Sequence, residues 1–281
     1  MKNVLKSILI LISFIDAYPQ INVKDLFTDK NLCVSVSIDV PGRFPASGFY
    51  YQNKDSLFIV TAKHVILDSL NNPWAPTYKI YSPIPSNHDS LLELTVVPLV
   101  LKNNKHILFL DSIDIAITHI GKDTLNGKLL LSQGILFFSD NFDNVSLRSH
   151  ILIKYNDVKI ADEVFILGYP SSLGIKNHPQ FNYKFPLLRK GIVAGKYNLK
   201  KTLIIDGPVY YGNSGSPVLI ITKGESGYSR FAVIGIISEF IPFDEYWANR
   251  ILNSTDLLQT NSGYSIAVPM DNLLKLLGEV E

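Results

Sequence analysis

The hexapeptide GNSGSP at residues 212–217 lies between two apolar runs, TLIID at 202–206 and VLIIT at 218–222. Two glycines and a proline in six residues mark a tight turn. Ser214 stands in the middle of it. A serine hydroxyl is a weak nucleophile. It needs a base within hydrogen-bond reach, and the base needs an orienting group. Two segments offer those groups. SLFIVTAKHV at 56–65 delivers His64 after an apolar strand, and LDSIDIAITHI at 110–120 delivers Asp114 at the mouth of another. His64 would take the Ser214 proton, and Asp114 would hold the other ring nitrogen and stabilise the imidazolium. Each has a plainer reading when taken singly: a structural histidine, a strand-start turn, a hairpin.

Order and spacing bind the three together. His64 precedes Asp114 by 50 residues, and Asp114 precedes Ser214 by 100. His–Asp–Ser is the chymotrypsin-type order, distinct from the subtilisin and α/β-hydrolase orders. The chain here resembles the trypsin/chymotrypsin-fold serine peptidases, and within them the bacterial high-temperature-requirement (Deg-type) branch. Over roughly residues 31–280, ASGFYY, TAKHV, DIA, DEVFILGYPSSLG, RKGIVAG, DGPVYYGNSGSP and SGYSIAVP match that branch in order. The resemblance implies a serine endopeptidase. It favours Asp114 over the nearby Asp111, because Asp114 directly precedes IA. Two readings compete: a trypsin-fold peptide-binding protein without catalysis, and an esterase.

Within the turn, the N–H groups of Gly212 and Ser214 would form an oxyanion hole, each donor worth roughly 3–4 kcal/mol. Gly212 permits close backbone approach, and Gly215 keeps the space behind the nucleophile clear. Asn213 stands where digestive relatives carry an aspartate that captures a new amino terminus, so activation by that ion pair is not expected. Ser216 replaces the more common glycine. The strand FAVIGIISEF at 231–240 resembles the substrate-binding strand, with Ser238, Glu239 and Phe240 pairing to an extended peptide by β-augmentation. Pro208 and Val209 are expected at the base of the specificity pocket, favouring small or medium apolar side chains. Asp206 corresponds to a structural aspartate, and a buried unpaired lysine or arginine would be costly there.

The elements that must position these groups read as short strands. Candidates are Cys33–Asp39, Gly48–Tyr51, Leu57–Thr61, Leu92–Leu101, Ile115–His119, Val164–Leu167, Gly191–Ala194, Leu203–Asp206, Pro217–Ile221, Phe231–Ile237 and Tyr264–Val268. Many short strands and few helical patterns point to an all-β fold; with the resemblance, the expectation is two six-stranded antiparallel Greek-key β-barrels and a short C-terminal α-helix. The barrels are expected at about 31–125 and 156–268, with a linker at about 126–155 inside the polar, turn-rich 121–157, and a helix at 269–280 opened by Pro269. A second helix is expected at Asp244–Leu257, inside a long excursion whose Phe243 and Trp247 would wall the cleft.

The 281 residues carry a formal net charge of +1, which gives no pull toward nucleic acid or an anionic membrane. Cys33 is the only cysteine and the six histidines are scattered, so neither a disulfide nor a metal site is expected. The chemistry calls for no cofactor. MKNVLKSILILISFIDA at 1–17 resembles a secretory signal, with Lys2 and Lys6 before a short apolar run and Ala17 at the cleavage point. It predicts export, with no membrane span in the mature form. The other reading is an N-terminal amphipathic or buried helix on a cytoplasmic protein. The chain ends about a dozen residues after Pro269, so no appended PDZ domain is expected. Oligomeric state and physiological substrate are not legible.

Overall fold

The description rests on a computed structural model and covers residues 26–84, 87–123, 129–137, 147–148, 151–171, 180, 182, 185–223, 229–249 and 254–278. The signal-like residues 1–17 lie outside it.

Ten strands make the first unit: β1 (Ser35–Asp39), β2 (Ala46–Asn53), β3 (Ser56–Thr61), β4 (Tyr78–Ile84), β5 (Asn87–Val96), β6 (Ile107–Leu110), β7 (Ile113–Asp123), β8 (Leu129–Leu131), β9 (Ile135–Phe137) and β10 (Leu147–Arg148). Their order is β6-β7-β3-β2-β1-β4-β5-β9, with β8 on β7 and β10 on β2. Six strands make the second: β11 (Glu163–Gly168), β12 (Leu187–Tyr197), β13 (Thr202–Asp206), β14 (Pro217–Lys223), β15 (Ser229–Asn249) and β16 (Ser254–Pro269). They close into a barrel in the order β11-β12-β13-β16-β15-β14. Each unit has its own apolar interior. Phe49, Ile59, Val60, Ile115 and Ile117 belong to the first, and Val164, Ile166, Ile205, Val218 and Ile234 to the second. Phe165, Leu219 and Val233 alternate outward from the barrel into the first unit's core, which joins the two. Among the described residues no helix is long and apolar enough to cross a membrane.

Several expectations need correction. The predicted strand Leu92–Leu101 ends at Val96, and Pro98–Asn103 is helical. Proline suits a first helical position, where no N–H is needed. Strands β4 and β6 lie outside the predicted set. The expected linker is partly sheet: β8 pairs with β7 and β9 with β5, so the first unit reaches at least Phe137. Pro269 closes β16 instead of opening the last helix, which spans Asp271–Leu276. That helix returns to the first unit, where Met270 and Leu273 are buried.

The helix expected at Asp244–Leu257 is absent. Its described residues continue β15 as far as Asn249 and belong to β16 from Ser254. The two pair from Pro242↔Asn261 to Asn249↔Ser254 as a ribbon projecting from the barrel. Tyr246 on one strand faces Leu257 on the other, and such a cross-strand pair stabilises a ribbon.

Candidate active site

The base comes from the first unit. Strand β3 ends at Thr61, and the chain turns at Ala62 into the single helical turn Lys63–Ile66. Val65 and Ile66 are buried, which leaves His64 facing outward. Its Nδ1 lies 2.8 Å from Asp114 Oδ2, and its main-chain N–H donates to Asp114 Oδ1 at 2.9 Å. Asp114 is therefore gripped by ring and backbone of one residue. Ser238 Oγ, from the barrel, adds a third donor at 2.5 Å. Burial pushes the Asp114 carboxyl up, but the His64 ring N–H, the His64 charge, the Ser238 hydroxyl and the His64 main-chain N–H outweigh it. The carboxyl is held below its ordinary value. Asp111 points elsewhere and accepts from Asn71 Nδ2 at 3.1 Å. Trp74 Nε1 donates to the His64 carbonyl at 2.9 Å, and Arg43 stacks 3.9 Å over the Trp74 ring.

The second unit supplies Ser214, between β13 and β14. The turn is shaped by the donors to four successive carbonyls, from Tyr211 to Ser214. Tyr211 C=O accepts from Ser171 N–H at 2.8 Å and Asn213 C=O from Ser216 N–H at 2.9 Å. Gly212 C=O accepts from Ser47 Oγ at 2.6 Å. Ser214 C=O accepts from Ser47 N–H at 2.9 Å. In a trans peptide the N–H points away from the preceding C=O. Anchoring the carbonyls of Tyr211 and Asn213 thus turns the N–H groups of Gly212 and Ser214 the other way. Among the described residues neither donates to a main-chain carbonyl, whereas Asn213, Gly215 and Ser216 all do. Asn213 is buried, and its Oδ1 accepts from Tyr210 N–H at 3.1 Å, so it braces the turn as a neutral group.

The glycines of the turn are required by what approaches them. Gly212 has φ +95°, and a Cβ there would lie 2.2 Å from the Tyr169 carbonyl oxygen. One on Gly215, at φ +85°, would lie 2.1 Å from the Ser47 carbonyl oxygen. First-unit backbone thus fills the space behind the nucleophile. Ser216 is accommodated from the other side: its Oγ occupies the space a side chain on Gly168 would need.

Ser214 Oγ donates to the Ser238 carbonyl at 3.2 Å, and no hydrogen bond joins it to His64 in this arrangement. His64, Asp114, Gly212, Ser214, Val209, Ser238, Glu239 and Phe240 nonetheless line one cleft of about 1100 Å³ between the two units. Pro208 does not line it; the residue is exposed, and its carbonyl accepts from Arg189 Nη1 at 2.7 Å. Phe44, Tyr211 and Phe240 form an aromatic row at the mouth, with ring centroids 5.6 and 5.4 Å apart. Pro242 and Gln259 line the outer end. Residues two apart share a strand face, so Phe243 and Trp247, one residue out of phase with Pro242, lie on the reverse face and not on the cleft as expected. Among the described residues, no cluster of three or more His, Cys, Asp or Glu is placed to hold a metal ion.

Ser47 and Ser171 are the positioning residues that sequence reasoning passed over. Ser47 bonds to two carbonyls of the nucleophile turn, and its Oγ also accepts from Tyr169 N–H at 2.9 Å. A small polar residue inside the apolar run ASGFYY was the available signal.

Comparison with known proteins agrees with this architecture. A search of curated proteins gives no match. Among solved structures, Deg5 is 16% identical with a TM-score of 0.50, covering 90% of both chains. A serine endoprotease from Yersinia pestis is 17% identical with a TM-score of 0.44, covering 88% of this chain and 62% of its own. The HtrA-type protease AlgW, solved with a tripeptide, is 11% identical with a TM-score of 0.45, covering 88% of this chain and 60% of its own. The Deg5 likeness supports the trypsin-like double β-barrel fold. The family model described as "Trypsin-like peptidase domain" matches residues 46–226, well over half of the 281, and the chain belongs to that family.

Proposed function

We propose that this protein is a serine endopeptidase acting through an acyl-enzyme on Ser214. The observation that carries the reading is the gathering of His64, Asp114 and Ser214 from three distant segments into one cleft, with the His64–Asp114 pair already made. Rotation about the Ser214 Cα–Cβ bond takes Oγ from the Ser238 carbonyl toward the free ring nitrogen of His64. Nε2 accepts the hydroxyl proton as Oγ attacks the scissile carbonyl, and Asp114 holds the imidazolium. The N–H groups of Gly212 and Ser214 receive the oxyanion. Collapse passes the proton from His64 to the leaving amine. Water repeats the sequence and frees Ser214.

Ser238–Phe240 serves as the edge to which an extended substrate pairs. Val209, Tyr211 and Phe240 give the specificity pocket apolar walls, which favours valine, alanine or leucine before the cleaved bond. A fluorophosphonate probe tests the reading: it should label Ser214 in the wild type and not in Ser214→Ala, and failure to label the folded wild type rejects it. Export rests on the Met1–Ala17 pattern alone. Mass spectrometry of the mature protein should find those residues removed.

A further inference from the structure

One edge of β15 changes character along its length. From Ser229 to Ile236 the strand is flanked by β14 and, at its end, by β16. Pairing with β14 stops at Pro217↔Ile236, whereas pairing with β16 runs on to Asn249↔Ser254. Beyond Ser238, therefore, the edge away from β16 faces no other described strand. At about 3.3 Å per residue, the projecting part from Pro242 to Asn249 is on the order of 25 Å long.

A long bare edge with large apolar side chains is a template for adding another strand. Here Phe243, Tyr246, Trp247, Leu257 and Leu258 are each at least half exposed, up to 71% for Tyr246. Such a concentration on one ribbon marks an interaction surface. The ribbon is also acidic: Asp244, Glu245 and Asp256, with Glu239 at its root, stand against Arg250 as the one cation in the sequence from 239 to 262. Its inner face continues the cleft. Asp244 and Gln259 are paired, Gln259 Nε2 donates to Asp244 Oδ1 at 3.0 Å, and Gln259 and Pro242 line the cleft. Tyr246 and Leu257 follow on the same face.

We infer that this ribbon is an exosite that binds unfolded polypeptide rich in basic and large apolar residues on the amino-terminal side of the cleaved bond. The polarity follows from the pairing. Every strand pair in the barrel is antiparallel. A chain adding antiparallel to β15 runs from the tip inward toward Ser214, so its amino-terminal part lies on the ribbon. Lysine and arginine meet the carboxylates while tyrosine and leucine cover the exposed rings. The inference rests on the peptidase reading for the identity of the cleft.

The test uses the full chain carrying Ser214→Ala, so that peptides bind uncut. Fluorescein-labelled peptides share one Val-Ala core and differ in an eight-residue amino-terminal extension, of Lys/Tyr/Leu, Gly/Ser or Glu/Tyr/Leu. Anisotropy should show the Lys/Tyr/Leu peptide binding roughly tenfold tighter than the Gly/Ser peptide, about 1.4 kcal/mol. The gap should narrow in high salt. The same extension placed after the core should gain nothing. Adding Asp244→Lys and Glu245→Lys should transfer the preference to the Glu/Tyr/Leu peptide. Equal binding of all three peptides overturns the proposal. So does a dimer, seen by sedimentation, that Tyr246→Ala with Leu257→Ala dissociates, because the edge would then be taken by a second copy. Fluorophosphonate labelling of the wild type reads the Ser214 chemistry separately. Labelling with no effect of the extension removes only the exosite; extension-dependent binding without labelling removes only the peptidase.

Discussion

The two units hold their halves of the site in opposite ways. In the first, His64 and Asp114 are bonded to each other through side chain and main chain. In the second, the Ser214 hydroxyl donates only to a carbonyl of its own barrel, and the two turn amides have no main-chain acceptor among the described residues. The first unit is preorganised by satisfied groups and the second by unsatisfied ones. The difference matches their tasks: a base must keep one tautomer throughout, whereas a nucleophile and its amides must stay free for atoms that arrive later. Ser47 spans the gap, since a first-unit residue shapes the second unit's turn.

Each half of the site can be disabled separately. Ser214→Ala, on the open side, should have the largest effect, a loss of roughly 10⁶-fold in casein hydrolysis with the fold intact by circular dichroism. Cleavage near the wild-type rate would move the nucleophile elsewhere. On the closed side, Asp114→Asn should cost about 10⁴-fold in kcat by favouring the wrong His64 tautomer. Asp111→Asn, which disturbs only the bond from Asn71, should change kcat less than about threefold, an effect below 1 kcal/mol.

Gly212→Ala and Gly263→Ala sharpen the point, since both glycines have positive φ. A methyl on Gly212 meets the Tyr169 carbonyl and Ser171 N–H, whereas one on Gly263 meets nothing within 4 Å. Gly212→Ala should lower kcat by roughly 10²- to 10³-fold, as loss of an oxyanion donor does. Gly263→Ala should lower Tm slightly and leave kcat alone. Ser47→Ala removes the donor to the Gly212 carbonyl and the acceptor for Tyr169 N–H. It should destabilise by about 1–3 kcal/mol in urea titration, with kcat falling more than KM rises.

The smallest effect expected is one of pH on the first unit. Burial, then His106 and Lys122, lower the His119 pKa, so the folded state disfavours the charged ring. Above the ordinary value of 6.5 the ring is neutral folded and unfolded. Below it the unfolded chain takes up the proton first, and stability falls with pH until the folded value is reached. His119→Gln should flatten the decline in Tm between about pH 6.5 and 5. An unchanged slope would place the decline on other groups.

Local pattern made much of the fold legible. Continuous apolar runs in Ser56–Thr61 and Thr202–Asp206 marked strands, and the glycines of GNSGSP marked the turn. The reading failed where local preference is weak. DEYWANRIL in DEYWANRILNSTDL is compatible with a helix, and only the pairing from Asp244↔Gln259 to Asn249↔Ser254 makes a ribbon. Pro208 seemed suited to the pocket base by its distance from Ser214, yet its exposure and its bond from Arg189 depend on how β12 passes beside it.

By itself the sequence determined which groups are available for chemistry: one serine in a glycine-flanked turn, one histidine after an apolar strand and one aspartate before another. Those are matters of residue type and short-range backbone preference, which a linear string carries. The tertiary structure alone decided that Ser47 anchors the nucleophile turn and that Ser238 completes the grip on Asp114, 124 residues away. It alone left one edge of β15 without a partner strand among the described residues. Such relations join residues far apart in the chain, and they exist only once two separate apolar cores have packed against each other.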